Sequence, residues 1–225
     1  MAFDKRFYGK WVLYTALGEL FGFLAPVAAG VIGALIIGEA TSPLGIAATL
    51  LLAAVGGLGE GSILAAWQAA ILKKRLPDLN RARFIIYTAL AAALAWIIGM
   101  SPSTINNSVE LPVWVWIVIG IIGVPFFLVS IGGAQWLELR KHVKKAWIWI
   151  IANAIAWPAG VMIPVFGIQL VPDTSAVWVF VAAGIISGVM MGAAVGAITG
   201  LFLVNLLKRH PGRASCEQSS WGSTD

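Results

Sequence analysis

The stretch from residue 176 to residue 207 reads AVWVFVAAGIISGVMMGAAVGAITGLFLVNLL and contains no charged side chain. The hydrocarbon core of a bilayer is about 30 Å thick and is crossed by roughly 20 helical residues. This stretch is long enough to cross it with some tilt. A strand of a membrane β-barrel would instead alternate apolar and polar residues over about ten positions. The stretch therefore predicts a transmembrane α-helix.

Five more apolar runs precede this one, and the composition of the whole chain agrees with them. Of the 225 residues, 60% are hydrophobic and 11% are charged, and the mean hydropathy is +0.90. A soluble domain carries about 25% charged residues, so this chain has too little polar surface for a globule in water. We predict an all-α membrane protein with six transmembrane helices in one domain, residues 1–210. The predicted spans are residues 11–38, 44–72, 84–100, 111–137, 147–171 and 176–207.

The positive charges all lie on one side of the predicted membrane. Every Lys and Arg falls in the N-terminal segment, in the second or fourth connection, or after the sixth span. The other three connections carry only acidic charges, at Glu39, Glu110 and Asp173. Lys and Arg in short loops stay on the cytoplasmic side. We therefore predict a multi-pass protein of the inner (plasma) membrane with both termini in the cytoplasm.

The same charge distribution indicates the partners. The basic loops are expected to contact anionic lipid headgroups, which contribute about 1 kcal/mol for each Lys or Arg near the surface. Since this accounts for the net charge of +5, no nucleic-acid partner is expected. Residues 211–225 are polar and rich in Ser and Gly, which predicts a disordered cytoplasmic tail.

Enzyme chemistry has little support in the sequence. The single cysteine, Cys216, lies in the tail, and the two histidines, His142 and His210, lie in a basic connection and the tail. The spans contain neither metal-ligand spacings nor the motifs of hydrolases and metalloproteases. We therefore expect no metal, no cofactor and no catalytic residues.

The chain resembles a threefold repetition of one helical hairpin. The tetrapeptide YTAL occurs at residues 14–17 of the first span and at residues 87–90 of the third. In the same register, AALAW of the third span matches NAIAW of the fifth, which aligns Glu19 with Ala92 and Asn153. An aromatic residue follows each aligned position four residues later. Three such hairpins would be parallel copies around an axis along the membrane normal, and they either enclose a cavity or pack solid.

Part of the chain resembles known sequences. Residues 132–140, GGAQWLELR, and residues 152–157, ANAIAW, are similar to segments of uncharacterised bacterial multi-span membrane proteins with repeated Gln-Trp and basic-loop hairpins. The resemblance implies a bacterial inner-membrane setting and carries no activity. The three-hairpin plan is also superficially similar to that of mitochondrial carriers. Their proline-acidic-basic signature at the ends of odd-numbered helices is absent, so we reject that family.

Two carboxyl groups lie inside the predicted spans. Glu60 is near the middle of the second span, and Glu19 is about two helical turns into the first. A charge at the bilayer centre costs about 2.5–3.5 kcal/mol on an insertion scale. Such a group is therefore expected to face the bundle interior, where it finds a polar partner or stays protonated. The candidate polar site for a proton or cation comprises Glu60, Glu19, Asn153, Gln68 and Gln135.

Glycine recurs at every fourth position of the sixth span. This spacing forms a strip without side chains that lets another helix approach closely. The helix that packs there is another span, a second copy of the chain or another membrane protein. The predicted seam consists of Gly184, Gly188, Gly192, Gly196 and Gly200. Proline removes a backbone hydrogen bond, which predicts kinks at Pro26, Pro125, Pro158 and Pro164.

Two functions remain open on these residues. In the first, the chain translocates a proton, a cation or another small solute that binds the intramembrane carboxyl groups. In the second, it is a non-transporting structural or accessory subunit of a membrane complex. The carboxyl groups are then hydrogen-bonded between helices, and the glycine seam packs against partners. A cavity that reaches Glu60 would favour the first function, and a dry, packed bundle the second.

Overall fold

The part of the chain that the structure describes folds into seven α-helices, which form six long apolar segments. The computed structural model describes residues 3–106, 111–172 and 174–208, and every regular element there is helical. All six segments are long and apolar enough to cross a membrane, which confirms the predicted all-α fold with six spans. The helices are α1 (Lys5–Gly22), α2 (Leu24–Ile36), α3 (Pro43–Leu72), α4 (Arg81–Asn106), α5 (Val113–Leu139), α6 (Ile148–Gln169) and α7 (Val177–Lys208).

The first apolar segment is broken at Phe23, between α1 and α2. Pro26 has no backbone N–H, and a proline ring crowds the carbonyl four residues earlier, which here belongs to Gly22, the last residue of α1. The kink expected at Pro26 is therefore a break between two helices. The other three prolines of the prediction, Pro125, Pro158 and Pro164, lie inside the continuous helices α5 and α6.

The third span is longer than predicted. α4 continues to Asn106, whereas the apolar run ends at Met100. The hydroxyl of Ser101 donates a hydrogen bond of 2.6 Å to the carbonyl oxygen of Ile97, so this polar side chain is satisfied within the helix itself. The end of the apolar run therefore does not mark the end of the helix. Residues 107–110 of the following connection lie outside the described residues.

The six segments form a closed ring in chain order. α1 packs against α3, the contacts continue from α3 through α4, α5 and α6 to α7, and α7 returns to α1. After the break, α2 packs against α3, and within the described residues it makes no backbone contact with α7. In that same part of the chain, no Cα atoms of helices on opposite sides of the ring come within 8 Å of each other. Contacts across the ring are therefore made by side chains, such as the rings of Trp11 on α1 and Trp149 on α6.

Glycines bring neighbouring helices of the ring together at three comparable places. In each, a Cβ atom added to the glycine would lie only 2.7–2.8 Å from the Cβ of one residue on the adjacent helix. It would also lie 2.9–3.0 Å from the Cα three residues earlier on that helix. Helices this close need glycine at the contact. The three sets are Gly61 against Ala92 and Ala89, Gly132 against Asn153 and Ile150, and Gly192 against Glu19 and Ala16.

The basic segments meet at one end of the ring, which we call the basic end. Arg75, just after α3, forms an ion pair with Asp4, just before α1. The ammonium group of Lys208, at the end of α7, lies 5.2 Å from the centre of the Phe3 ring. The predicted tail, residues 211–225, lies outside the described residues.

The helices pack tightly only in the half of the ring nearer the basic end. In α5 the buried residues begin at Ile131, and no residue from 113 to 130 is buried. In α3 they begin at Gly56, and in α6 they end at Gly160. The opposite half, which we call the open half, therefore contains little packed core.

Candidate functional site

Glu19 and Glu60 lie side by side between α1 and α3. Glu19 is fully buried, and Glu60 is 6% exposed. A Cβ atom at Gly22 of α1 would be 3.0 Å from the carbonyl oxygen of Glu60, so the absence of a side chain there lets the two helices touch. At this crossing the carboxyl groups are close enough to interact electrostatically. The structure thus brings together the two intramembrane carboxyl groups of the predicted site.

The fourth helix supplies a hydrogen-bond donor to Glu60. The indole Nε1–H of Trp96 on α4 donates to Oε2 of Glu60. Gly57, one turn from Glu60 on α3, allows this approach, because a Cβ atom there would lie 2.7 Å from Cδ1 of Trp96. The carboxyl group of Glu60 is therefore held between α1, α3 and α4.

Glu19 has no indole or other N–H donor among the described residues, and its polar neighbour is the carboxyl group of Glu60. The hydroxyl oxygen of Thr15, one turn earlier, also has no hydrogen bond in the described part of the chain. A buried polar atom without a partner costs about 1–3 kcal/mol, and more if it is charged. No described ion pair joins Glu19 or Glu60 to a Lys or Arg. The site is thus a pair of buried carboxyl groups with no ion pair to a positive charge among the described residues.

A third buried carboxyl group, on Glu138, shows how a structural carboxylate in this fold is satisfied. It accepts hydrogen bonds from the backbone N–H of Asn80 at 3.1 Å and from Nζ of Lys141 at 2.6 Å. Nε2 of His142 lies 3.2 Å from the same group. These contacts tie the start of α4 to the end of α5 at the basic end. Sequence reasoning did not select Glu138, although the nearby basic residues were visible.

Two more of the predicted site residues, Gln68 and Gln135, belong to a separate hydrogen-bonded layer nearer the basic end. Nε2 of Gln135 on α5 donates to Oε1 of Gln68 on α3 at 2.9 Å, and Nε1 of Trp149 on α6 donates to Oε1 of Gln135 at 2.8 Å. The Trp149 ring meets the Trp11 ring edge-on, with centroids 5.7 Å apart, and Nε1 of Trp11 donates to Oγ1 of Thr199 at 3.0 Å. These five side chains, all 3% exposed or less, are called the tryptophan layer.

Both polar atoms of the Asn153 side chain have hydrogen-bond partners on its own helix, α6. Its Nδ2 donates to the carbonyl oxygen of Trp149 at 2.9 Å, and its Oδ1 accepts from Nε1 of Trp157 at 3.2 Å. The structure therefore gives Asn153 partners of its own on α6. It does not place a hydrogen bond between Asn153 and either carboxyl group of the pair.

The hydrogen bond from Trp96 to Glu60 was not predicted from the sequence, although the predicted repeat aligns Trp96 with Trp157. Asn153 and Trp157 are aligned with Ala92 and Trp96. Since Ala92 offers no acceptor, the indole of Trp96 is left to donate to Glu60 on the neighbouring helix. The corresponding residue after Glu19 is Phe23, whose side chain has no N–H to donate. Glu60 thus has an indole partner and Glu19 has none.

The predicted glycine seam divides into two halves. On the half nearer the basic end, added Cβ atoms at Gly192, Gly196 and Gly200 would lie 2.7–3.0 Å from atoms of α1. On the other half, Cβ atoms at Gly184 and Gly188 would meet no described atom within 4 Å. The cause is the break at Phe23, because α2 turns toward α3 and leaves this part of α7.

A cavity of about 300 Å³, open to its surroundings on one side, lies between α2, α3 and α4 in the open half. It reaches Trp96, and hence comes within one indole ring of Glu60. Its lining is almost entirely apolar, and Thr49 is the one polar lining side chain besides the indole. The main lining side chains are Pro26, Ala29, Leu52, Ala53, Trp96 and Met100.

The comparisons with known proteins add no information on function, so the proposal depends on the geometry of the site. No family model matches the chain, and neither the curated proteins nor the solved structures contain a match. The fold defines a class, an all-helical protein with six segments able to span a membrane. Its most unusual interior feature is the pair formed by Glu19 and Glu60.

Proposed function

We propose that the protein translocates protons or small cations across the membrane and that Glu19 and Glu60 bind them. The observation that carries the proposal is the fully buried carboxyl group of Glu19, whose polar neighbour among the described residues is the carboxyl group of Glu60 and not an N–H or ammonium donor. Two adjacent carboxyl groups in a medium of low dielectric constant repel each other when both are ionised. A proton or a monovalent cation between them removes that repulsion.

The contrast with Glu138 supports this proposal. A carboxyl group retained only for stability is expected to be matched by donors, and Glu138 is matched by Asn80 and Lys141. Glu19 occupies an equally buried position with no comparable donors. Such an arrangement is costly for a resting scaffold and useful for a site that takes up and releases a positive charge.

The unequal packing of the two halves of the ring supports a route by which a proton or cation reaches the carboxyl pair. The tryptophan layer and the packed half lie between the carboxyl pair and the basic end, whereas the open half contains little core. We propose that the basic end faces the cytoplasm of a bacterial inner membrane, with both termini there and anionic lipid headgroups around its Lys and Arg. The carboxyl pair is then closer to access from the external side, and passage to the cytoplasm requires the tryptophan layer to rearrange.

The three comparable glycine contacts support a triplicated hairpin as the origin of the ring. They occur at the positions that the sequence alignment of Glu19, Ala92 and Asn153 had made equivalent. In this arrangement each hairpin contributes one glycine-bearing helix that packs on the first helix of the next hairpin.

The proposal is tested by flux measurements on reconstituted protein. Proton and Na⁺ flux into liposomes is compared for the wild type, Glu19→Gln, Glu60→Gln and the control Glu39→Gln, whose carboxyl group is exposed outside the helices. We expect wild-type flux above that of empty liposomes, its loss in both variants of the pair, and its retention in the control. Wild-type flux equal to that of empty liposomes would contradict the proposal.

The end of α7 that α1 does not contact favours one alternative, a non-transporting subunit that binds a membrane partner at Gly184. The observation behind it is that Gly184 is only partly buried and an added Cβ atom there meets no described atom within 4 Å. Under this alternative, Gly184→Leu abolishes co-purification of a stoichiometric partner or of a second copy, and flux is absent from every variant. Under transport, flux depends on the carboxyl pair.

A further inference from the structure

We infer that the substrate of the carboxyl pair is a lipophilic organic cation, such as a small quaternary ammonium, whose apolar body occupies the cavity between α2, α3 and α4. The inference rests on the proposed function and names its substrate class. It is drawn from three features that meet at Trp96: the cavity, the indole ring and the hydrogen bond to Glu60.

The lining of the cavity selects for an apolar body. A volume of about 300 Å³ is at the lower end of the range of about 300–1,000 Å³ typical of small-molecule sites. An inorganic cation that enters such a space must exchange its water shell for several oxygen ligands. Apart from the indole, the lining side chains offer only the hydroxyl of Thr49. An organic cation carries its charge inside an apolar shell and needs no such ligands.

Trp96 connects the cavity to the negative charge. Its ring lines the cavity while its Nε1–H donates to Glu60. Aromatic faces attract quaternary ammonium groups within about 6 Å of the ring centre. A positive charge held at this ring is therefore separated from the carboxyl pair by the indole alone. No described hydrogen bond or ion pair supplies that pair with a Lys or Arg that would compete.

The wall formed by α2 offers a way to fill the cavity without disturbing the carboxyl groups. Gly30 lines the cavity, and a Cβ atom added there would meet no described atom within 4 Å. Gly30→Leu is therefore expected to fit into the cavity itself. Gly120 on α5 is equally open to an added Cβ atom but does not line the cavity. Gly120→Leu is thus the matched control for the cost of adding the side chain.

The test is calorimetric binding of benzyltrimethylammonium to the purified full-length chain in detergent, with its neutral isostere neopentylbenzene as the comparison ligand. We expect the cation to bind, Glu60→Gln and Gly30→Leu to weaken it by roughly tenfold or more, and Gly120→Leu and Glu39→Gln to leave it within about twofold. The neutral isostere should bind the wild type and Glu60→Gln alike. Monodisperse elution of each variant on size exclusion establishes that it is folded.

The outcomes separate this inference from the proposed function. If Glu60-dependent flux of protons or Na⁺ is present and benzyltrimethylammonium does not bind, the inference is overturned and the proposed function stands. If the cation binds but Gly30→Leu binds it as tightly as the wild type, the assignment to this cavity is also overturned. If the cation binds with the expected pattern but no flux of any cation is found, the binding site stands and the translocation proposal fails.

Discussion

The indole of Trp96 on α4 donates its hydrogen bond across the helix interface to Glu60 on α3. At the aligned position of α6, Trp157 instead donates to Asn153 within the same helix. The two indole N–H groups therefore have different kinds of acceptor. One satisfies an amide locally, and the other joins the cavity in the open half to the carboxyl pair.

This difference gives the first prediction. Trp96→Phe keeps an aromatic ring but removes the N–H donated to Glu60. We expect it to change proton or cation flux roughly tenfold or more, since a hydrogen bond to a charged group contributes about 1.5–3 kcal/mol. Trp157→Phe makes the same chemical change at Asn153 and should leave flux near the wild-type level. The measurement is flux into liposomes at matched protein content. Equal flux in both variants would show that the bond to Glu60 has no part in transport.

A second prediction concerns the contact between α7 and α1. In Gly192→Ala the new methyl group would lie 2.7 Å from Cβ of Glu19 and 2.9 Å from Cα of Ala16. We expect destabilisation of about 1–3 kcal/mol from overpacking, seen as a lower thermal unfolding midpoint in detergent. Gly184→Ala, on the same helix with no described atom within 4 Å of its new methyl group, should unfold at or near the wild-type temperature. If the two variants unfold together, the close contact of α1 and α7 is wrong.

The tryptophan layer gives a third prediction. Gln135→Leu leaves Oε1 of Gln68 and Nε1 of Trp149 without the partner that joins them. Each unsatisfied buried group costs about 1–3 kcal/mol, so a clear fall in the unfolding midpoint is expected. Asn205→Leu removes an amide from an exposed position of α7 and serves as the control. A Gln135→Leu protein as stable as this control would contradict the role of the layer.

The orientation of the protein in the membrane is tested by labelling introduced cysteines from outside the cell. In a Cys216→Ser background, cysteines are placed at Ser42, the N-cap of α3, and at Lys74, beyond its other end. We expect an impermeant maleimide added to intact cells to label the cysteine at residue 42 and not the one at residue 74. The reverse pattern would place the basic end outside the cell and overturn the proposed direction of access.

The sequence was sufficient for the six spans but not for all of their ends. Continuous apolar runs determine which segments enter lipid, and the structure has a helix in each of them. The end of α4 was placed too early because Ser101 is polar, although a serine hydroxyl can bond to a carbonyl one turn earlier. The break at Phe23 follows from Pro26, yet Pro125 sits inside an unbroken helix. A proline alone therefore does not determine whether a helix bends or ends.

Two of the five residues of the predicted site, Glu19 and Glu60, lie together in the structure, and the other three do not join them. The insertion cost of a charge selected Glu19 and Glu60 without any structure. Their adjacency depends on close approach of α1 and α3 at Gly22, which a sequence without register between helices does not specify. Gln68 and Gln135 were selected for the same polarity, but they bond to each other and to Trp149 in a different layer.

The most direct test of the central claim is infrared difference spectroscopy of the purified protein during titration with a proton or a cation. If Glu19 and Glu60 bind the transported charge, the wild type shows a carboxyl C=O band that changes on titration, and this change is absent from the Glu19→Gln/Glu60→Gln double variant. A difference spectrum identical in the wild type and the double variant would contradict the claim that this pair is the binding site.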